Sequence, residues 1–412
     1  MNQKLRNDAE QIIRGAIRAV TPDETVRKAL EGKEFTGRIF VVSVGKAAWQ
    51  MAKSASEALS QPYTAGIVVT KYGHVQGEIP GFTCYEAGHP IPDENSFMAT
   101  QAVLDMTKDL MEDDTVLFLL SGGGSALFEK PLIPSAELAY ITRQLLAKGA
   151  DIVEINTIRK RLSAVKGGKF AKHCEPAHME TIILSDIIGD PLDMIASGPA
   201  YPDSSFCEQA LKIADKYGLE LSENAQRLLE EETPKELASV ASTVIGNVKE
   251  LCRAAMCECE RLGYEPVFLT DCLDAEARAA GAMLGNIARS HSMANNKLAF
   301  IAGGETIVYL SGRGKGGRNQ ELALGAAAGI SGLRHVAVFS VGSDGTDGPT
   351  DAAGGYVDGE TLSDAAAKGL SIEKSLQEND SYTLLKALDG LIITGPTGTN
   401  VNDVAVVLID GE

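Results

Sequence analysis

The sequence is short of positive charge and has no long apolar run. Its 412 residues include 38 Lys and Arg against 56 Asp and Glu, which gives a net charge of −18. A nucleic-acid partner requires a basic surface, so this deficit argues against a nucleic-acid-binding protein. No apolar stretch reaches the roughly 18 residues of a membrane span. Residues 1–20 form an amphipathic pattern without the apolar core of a signal peptide.

Paired cysteines are also missing. The seven cysteines follow no paired spacing, and Cys252, Cys257 and Cys259 fall within one helical pattern. No His or second Cys pair accompanies them at the spacing of a zinc site. We therefore expect free thiols, which are typical of a reducing compartment and predict a cytoplasmic protein.

Both standard nucleotide-binding motifs are incomplete. Gly312, Gly314 and Gly317 have the spacing of the dinucleotide fingerprint, but no acidic residue lies about 20 positions further on. The same stretch departs from a P-loop, because Arg318-Asn319 stands where Lys-Ser/Thr is required. Any nucleotide site in this chain is therefore expected to have another design.

The residues that are present favour an α/β enzyme of more than one domain. The chain is too long for one ordinary domain. Predicted strands alternate with helices through short glycine turns, which indicates a parallel sheet with helices on both faces. A new alternation begins near residue 239, so we predict domains at 1–238 and 239–412. We also predict one helix over residues 5–31 and a hairpin of strands 297–302 and 306–310.

Several glycine turns fall where predicted strands end, which is where ligands bind in such folds. The turn Ser121–Ser125 (SGGGS) is interpreted as a backbone nest for a phosphate or carboxylate, with a tight structural turn as the alternative. Lys46 follows Gly45 at the start of a helix, where a cation opposes the helix dipole. This favours a lysine that faces an anionic ligand over a surface lysine. His74 and His89 each follow a turn and are interpreted as structural, with a catalytic role as the alternative.

Two further clusters of cations stand out against the acidic background. The stretch Ser311–Glu321 combines four glycines with three cations before a predicted helix, which indicates a loop that holds an anion. A mobile turn with solvated charges is the alternative. Arg159, Lys160 and Lys166 form a basic run in which Asn156 and Lys160 share a helix face. These side chains either reach a substrate anion or form a solvated basic face.

Two acidic loops follow predicted strands. Asp186 and Asp190 lie in one loop, and Asp344 and Asp347 lie in the other. Mg²⁺ that accompanies a nucleotide takes one or two carboxylates in addition to phosphate oxygens and water. The loops therefore predict a magnesium–nucleotide site, with turn and N-cap roles as the alternative.

Taken together, the loops resemble the MOFRL-type glycerate 2-kinase family across nearly the whole chain and in order. The resemblance is carried by VGKAAW (44–49), SGGGSAL (121–127), INTIRKRLSAVKGGK (155–169), LSDIIGDPLDMIASGP (184–199), GGETIVYLSGRGKGGRNQE (303–321), SDGTDGPTDAAGG (343–355) and GPTGTNVND (395–403).

The resemblance implies phosphorylation of D-glycerate by ATP, with magnesium, to give 2-phosphoglycerate. It implies an N-terminal Rossmann-like α/β/α domain, a C-terminal α/β MOFRL domain with a mixed sheet, and an active site in the cleft between them. By the same resemblance Lys46 and Arg318 are catalytic. A nicotinamide-dependent hydroxypyruvate reductase and a non-catalytic binder of small acids or sugars are the alternatives. Small-molecule substrates are the expected partners, without nucleic acid or membrane, and the protein is expected to be a monomer or homodimer.

The residues expected to bind substrate or nucleotide come from the glycine loops, the basic run and the polar positions of the motifs. They are Gly45, Ser121, Gly122, Gly123, Gly124, Ser125, Asn156, Arg159, Lys160, Lys166, Arg313, Lys315, Asn319, Thr399 and Asn400. The expected metal ligands are Asp186, Asp190, Asp344 and Asp347.

Overall fold

The computed structural model describes residues 2–411, which divide into two compact units. The parallel-sheet unit is Thr25–Ile245, and the mixed-sheet unit combines the residues before and after it. The strands are β1 (Ile39–Val44), β2 (Ala65–Lys71), β3 (Phe82–Ala87), β4 (Thr115–Leu120), β5 (His178–Leu184), β6 (Val240–Gly246), β7 (Glu265–Leu273), β8 (Leu298–Gly304), β9 (Val336–Gly342), β10 (Gly354–Asp358), β11 (Leu391–Ile392) and β12 (Asp403–Ile409).

Sixteen helices connect these strands within residues 2–411. They are α1 (Gln3–Ala19), α2 (Pro22–Leu30), α3 (Ala48–Ala58), α4 (Glu94–Met106), α5 (Gly124–Leu127), α6 (Ser135–Ala147), α7 (Ile152–Leu162), α8 (Lys169–Cys174), α9 (Cys207–Lys216), α10 (Glu223–Glu230), α11 (Val248–Arg261), α12 (Ala277–His291), α13 (Arg318–Ile330), α14 (Thr361–Ala367), α15 (Ile372–Gln377) and α16 (Ser381–Ala387), with a short 3₁₀ turn at Ile195–Ser197. No helix in this part of the chain is long and apolar enough to cross a membrane.

The parallel-sheet unit has the strand order β3-β2-β1-β4-β5-β6, which is that of the Rossmann fold. Strand β1 pairs in parallel with both β2 and β4, so the order reverses between β1 and β4. Every residue of β1 and β4 is buried, as expected for a parallel sheet covered on both faces. The predicted Rossmann-like α/β/α domain is thereby confirmed. Ligands in such sheets bind outside the carboxyl ends of the strands at this reversal.

The mixed-sheet unit has the order β11-β10-β9-β12-β8-β7. Strand β12 lies between β8 and β9 and is antiparallel to both, whereas β7 and β8 are parallel, so the predicted mixed sheet is confirmed. Helices α12 and α13 pack so closely that their backbones are in contact. A Cβ at Gly281 would lie 1.9 Å from the carbonyl oxygen of Leu322, so only glycine permits this approach.

The N-terminal helix belongs to the mixed-sheet unit. The hydroxyl of Tyr264 donates to the Asp8 carboxylate at 2.7 Å, and α1 packs along α11. This helix therefore groups with the C-terminal residues in one compact unit, while the division at residue 238 stays a prediction. The single helix expected over 5–31 is wrong, since α1 ends at Ala19 and α2 begins at Pro22, a residue that favours a first helical position.

The predicted hairpin of 297–302 and 306–310 is also wrong. Strand β8 occupies Leu298–Gly304, and its two edges are paired with β12 and β7. No edge of β8 is left for the residues that follow it. Ile307 instead forms an isolated parallel bridge with Glu276.

Candidate functional site

The two loops at the strand reversal of the parallel-sheet unit are tied to each other. The N–H of Lys46 donates to the carbonyl of Gly122 at 2.8 Å, and the N–H of Ala47 donates to Ser121 Oγ at 3.1 Å. Gly45 has a φ of 125°, and a Cβ there would lie 2.2 Å from Ser121 Oγ. Glycine is therefore required at this position, and the loops after β1 and β4 form one surface.

Lys46 is half-buried at this surface, just before α3 begins. Its carbonyl accepts from Thr70 and lies 3.1 Å from His74 Nδ1, which fixes its backbone. Within residues 2–411 no carboxylate forms an ion pair with its side chain, and no side chain caps α3 at Ala47. A partly desolvated cation at a helix start is suited to an anionic ligand, because both attract negative charge.

The glycine loop allows two neighbours to approach its backbone. A Cβ at Gly122 would lie 1.9 Å from Asp186 Oδ2, and one at Gly124 would lie 2.6 Å from Ala196 Cβ. Gly123 has a φ of 88°, a conformation that favours glycine. The three glycines therefore allow close packing, and they place the Asp186 carboxylate beside the glycine loop.

Behind the loop, three of the predicted binding residues share one hydrogen-bond network. Ser125 Oγ lies 3.0 Å from Ser197 Oγ, which donates to Asn156 Oδ1 at 3.0 Å. The Arg159 guanidinium donates to the Ser125 carbonyl at 2.9 Å and to Glu129 at 3.2 Å. The structure thus brings Ser125, Asn156 and Arg159 together at the end of β4.

His89 lies at the same edge, in the loop after β3. A Cβ at Gly123 would lie 3.1 Å from His89 Nε2 and 3.2 Å from Lys46 Cγ, so both side chains flank this glycine. Burial, together with the positive charges of Lys46 and Lys71, lowers the pKa of His89 to about 4. The sequence favoured a structural histidine. Only the fold shows that His89 lies two residues after β3, a strand that ends at the same sheet edge as Lys46.

In the mixed-sheet unit, Arg318 occupies the first turn of α13 and is held by two carboxylates. Its Nε donates to Asp403 Oδ2 at 2.6 Å and its NH2 donates to Asp403 Oδ1 at 3.1 Å, which is a two-pronged contact. Its NH1 donates to Glu305 at 2.5 Å. Burial opposes its charge, but the two carboxylates outweigh burial and raise the pKa of Arg318.

Asp403 is the buried partner of this pair. Burial raises the pKa of its carboxyl to about 6, against the opposing effect of the Arg318 guanidinium. Near neutral pH both groups are charged, so the fork fixes the plane of the guanidinium at the start of α13. Such a preoriented cation is suited to planar oxyanions such as carboxylate or phosphate.

Two family models match the chain. Residues 8–230 match the family described as "Domain of unknown function (DUF4147)", and residues 298–403 match the "MOFRL family". The chain is 50% identical to the D-glycerate 2-kinase of Thermotoga maritima, with 99% of each chain covered. It is 40% identical to the glycerate 2-kinase of Pyrococcus horikoshii, with 99% of this chain and 98% of the relative covered.

A crystal structure of the Thermotoga maritima glycerate kinase has a TM-score of 0.95 to this chain at 48% identity, covering 99% of this chain and 100% of that one. The chain belongs to the MOFRL glycerate 2-kinase family. Curated relatives with this identity and coverage carry the kinase name, so the resemblance inferred from the sequence motifs is confirmed.

In this member of the MOFRL glycerate 2-kinase family, Lys160 and Lys166 are internal cations. Lys160 Nζ donates to Asp203 at 2.9 Å, and Lys166 Nζ donates to the carbonyls of Ser125 and Phe128 at 2.9 and 3.0 Å. Burial lowers the pKa of Lys166 to about 8. Both side chains hold loops in place, and direct contact with a substrate stays a prediction.

The loop that precedes Arg318 uses much of its backbone for packing. The N–H groups of Ser311 and Gly312 donate to Asn379 Oδ1 at 2.8 and 2.9 Å, and that of Gly314 donates to the Glu378 carbonyl at 2.8 Å. A Cβ at Gly312 would lie 2.2 Å from the Glu378 oxygen. These glycines therefore allow close packing onto a neighbouring turn, which neither alternative from the sequence had anticipated.

The other residues of this unit that were predicted to bind substrate or nucleotide range from exposed to buried. Arg313 is exposed, and Lys315 Nζ lies 4.5 Å from the centre of the Tyr382 ring. Thr399 Oγ1 donates to the Val20 carbonyl at the end of α1 at 2.7 Å, and Asn400 is half-buried beside it. Their contact with nucleotide stays a prediction.

Asp347 caps helix α13. Its Oδ1 accepts from the Asn319 N–H at 3.1 Å, and its Oδ2 accepts from the Gln320 N–H and side-chain amide at 2.9 and 3.0 Å. Asn319 Oδ1 accepts from Ser340 Oγ at 2.5 Å and is buried. Burial raises the pKa of Asp347, against the opposing effect of the Gln320 and Asn319 donors. Asp347 thus stabilises the start of a helix, which is close to the capping role that the sequence left as an alternative to metal binding.

The predicted metal ligands differ in how well they suit magnesium. Among residues 2–411, no group of three or more His, Cys, Asp or Glu side chains is arranged to hold a metal. Asp347 is a poor candidate, since both its oxygens accept N–H groups. Asp344 Oδ1 accepts from a turn N–H, and Asp190 has a left-handed φ of 50°. Asp186 fits best because its carboxylate lies at the glycine loop.

We expect Asp403 to impose a pH dependence on stability. Its pKa rises from 3.8 to about 6 on folding, so its stabilising contribution is complete below pH 3.8 and is lost as the pH rises through about 6. That difference is worth about 3 kcal/mol. Urea unfolding of wild type and Asp403→Asn, followed by circular dichroism, should show the free energy of unfolding of wild type falling relative to the variant by this amount. A constant difference across that pH range would contradict the burial of an ionised Asp403.

Proposed function

We propose that the chain transfers the terminal phosphoryl group of ATP to the 2-hydroxyl of D-glycerate, giving 2-phosphoglycerate and ADP. The observation that carries this proposal is the half-buried Lys46 beside the SGGGS nest, at the strand reversal of a Rossmann-type sheet. The names of the relatives in Thermotoga maritima and Pyrococcus horikoshii support the same reaction.

Phosphoryl transfer requires alignment and neutralisation of charge more than covalent chemistry by the protein. Lys46 supplies a cation whose backbone is fixed by the glycine loop. Arg318 supplies a second cation whose plane is fixed by Asp403. We propose that both act on the anionic groups of the reaction, namely the transferred phosphoryl group and the carboxylate of glycerate.

Magnesium is proposed to accompany ATP, and it would neutralise charge on the phosphate oxygens. Asp186 is the candidate ligand on the side of the glycine loop, and Asp190 of the same loop is the second. One or two carboxylates are sufficient for a magnesium–nucleotide complex, because phosphate oxygens and water complete the shell.

The alternative, a nicotinamide-dependent reductase of hydroxypyruvate, has less support. In dinucleotide-binding Rossmann folds the turn after the first strand carries several glycines that admit the pyrophosphate. Here the turn after β1 reads Gly45-Lys46-Ala47, with one glycine followed by a cation. The stretch with the matching glycine spacing, Gly312 to Gly317, instead packs against residues 378–381 and Asp347.

The thiols support a reducing compartment, and we propose the cytoplasm. Within the described chain all seven cysteines are free. Burial raises the pKa of Cys174, Cys252 and Cys259 to about 12, which leaves them as unreactive thiols in the core.

The proposal is tested with purified protein, ATP, magnesium and D-glycerate. We expect ADP to form only when D-glycerate is present, and we expect no oxidation of NADH when hydroxypyruvate replaces glycerate. Oxidation of NADH without formation of ADP would favour the reductase. D-Glycerate binding without either reaction would favour a non-catalytic binder.

A further inference from the structure

His89 and Lys46 both place side-chain atoms beside Gly123. The strands β1, β3 and β4 are parallel members of one sheet, so the loops after them meet at its carboxyl edge. The absent side chain of Gly123 leaves a position that is 3.1 Å from His89 Nε2 and 3.2 Å from Lys46 Cγ. A ligand bound at Gly123 would therefore lie close to both a ring nitrogen of His89 and the stem of Lys46.

Burial, reinforced by nearby positive charge, lowers the pKa of His89 and keeps the ring neutral near pH 7. Burial, Lys46 from the loop after β1, and Lys71 and His74 from the end of β2 all lower its pKa. A carboxylate, Asp186, also borders the glycine loop and lies at Gly122. Neutral imidazole has a free lone pair, which is the requirement for accepting a proton.

Binding of an anion would prepare His89 for this task. A phosphate or carboxylate at Lys46 cancels the positive charge with the largest effect on the ring, and the pKa of His89 rises toward the range of an effective base. The site thus couples the arrival of an anionic substrate to the basicity of the ring.

We propose that His89 Nε2 accepts the proton of the acceptor hydroxyl as that oxygen attacks the terminal phosphorus of ATP. This inference rests on the proposed function. The oxygen–phosphorus bond forms, and the bond from the terminal phosphorus to the bridging oxygen breaks. Its electron pair leaves with ADP. The proton moves from the hydroxyl to His89 and then to water, so the atoms and charges balance.

The test compares His89→Asn and His89→Ala with wild type in steady-state kinetics. We expect kcat to fall by about 10²–10⁴ in both variants while KM for D-glycerate is unchanged, since the ring acts on the transferred proton. The matched control is His173→Asn, an exposed histidine of α8 whose ring nitrogen lies 3.1 Å from the Leu104 carbonyl. Its kcat should equal that of wild type.

Added imidazole separates proton acceptance from a packing role. It should restore part of the activity of His89→Ala and none of that of Lys46→Met, because imidazole replaces a base and not the lysine charge. Wild-type kcat in His89→Asn, or a folded His89→Ala that imidazole does not stimulate, would overturn the inference. If His89→Ala does not fold, the kcat of His89→Asn alone tests the inference: a reduced kcat supports it and a wild-type kcat overturns it. A wild-type protein without D-glycerate-dependent ADP formation would instead refute the proposed function itself.

Discussion

Replacing Lys46 by methionine is expected to lower kcat by about 10²–10³, the usual cost of removing one preorganised electrostatic donor. Methionine keeps the length and apolar stem of the lysine but removes its charge. The loops after β1 and β4 are held by backbone contacts of Lys46 and Gly122, which the substitution leaves in place. The loss should therefore appear in kcat, measured at saturating ATP and D-glycerate.

The helix that follows Lys46 offers a control lysine, and the same unit contains a fluorescent reporter of folding. Lys53 is half-buried on α3 and pairs with Glu57, away from the glycine loop, so Lys53→Met should retain wild-type kcat. The single tryptophan, Trp49, donates to the Gly77 carbonyl at 2.9 Å, so its fluorescence reports whether the parallel-sheet unit is intact. A folded Lys46→Met with wild-type kcat would exclude Lys46 from the reaction.

Removing the guanidinium of Arg318 is expected to have an effect of similar size. Arg318→Ala should lower kcat by about 10²–10³, since the cation would no longer meet the transferred charge. Arg318→Lys should recover only part of this loss. An ammonium group keeps the charge but cannot make the two parallel contacts with Asp403 that fix the guanidinium plane.

Kinetics of Arg318→Ala, Arg318→Lys and a control arginine provide the test. Arg253 is exposed on α11 of the same unit and pairs with Glu250, so Arg253→Ala should leave kcat unchanged. Full activity of Arg318→Lys would show that charge alone is sufficient and that the fork with Asp403 has no part in catalysis.

Much of the parallel-sheet unit could be predicted because its signals are local. Continuous apolar runs such as Thr115–Leu120 indicate buried strands, and the glycine turns after them mark the strand ends. Once the strands are parallel, their carboxyl ends share one edge, which places Gly45, Lys46 and the SGGGS loop at the same end of the sheet. The contact between Lys46 and Gly122 bears this out.

The mixed-sheet unit was harder because its pairings join distant residues. Whether residues 306–310 form a hairpin depends on what occupies the edges of β8, and one neighbour, β12, lies about a hundred residues further on in the chain. The partner of the Ser311 and Gly312 N–H groups is likewise remote, at Asn379. A glycine-rich stretch has the same local sequence whether its donors face a ligand or a neighbouring loop.

Whether a charged side chain is buried also depends on residues that are distant in the sequence. Lys160 and Lys166 differ little in sequence from residues of a solvated basic face. Their enclosure depends on Asp203 and Glu129, carboxylates from other segments. His89 was discounted because a single histidine after a turn carries little information. Its position beside Gly123 and Lys46 became visible only from the fold.

The most direct test of the central claim is the position of the phosphate in the product. The protein, ATP, magnesium and D-glycerate are incubated with enolase, which converts 2-phosphoglycerate to phosphoenolpyruvate. We predict that phosphoenolpyruvate forms with enolase alone, at the rate of ADP release. Formation only after phosphoglycerate mutase is also added would show that the product is the 3-phosphate, and it would contradict transfer to the 2-hydroxyl.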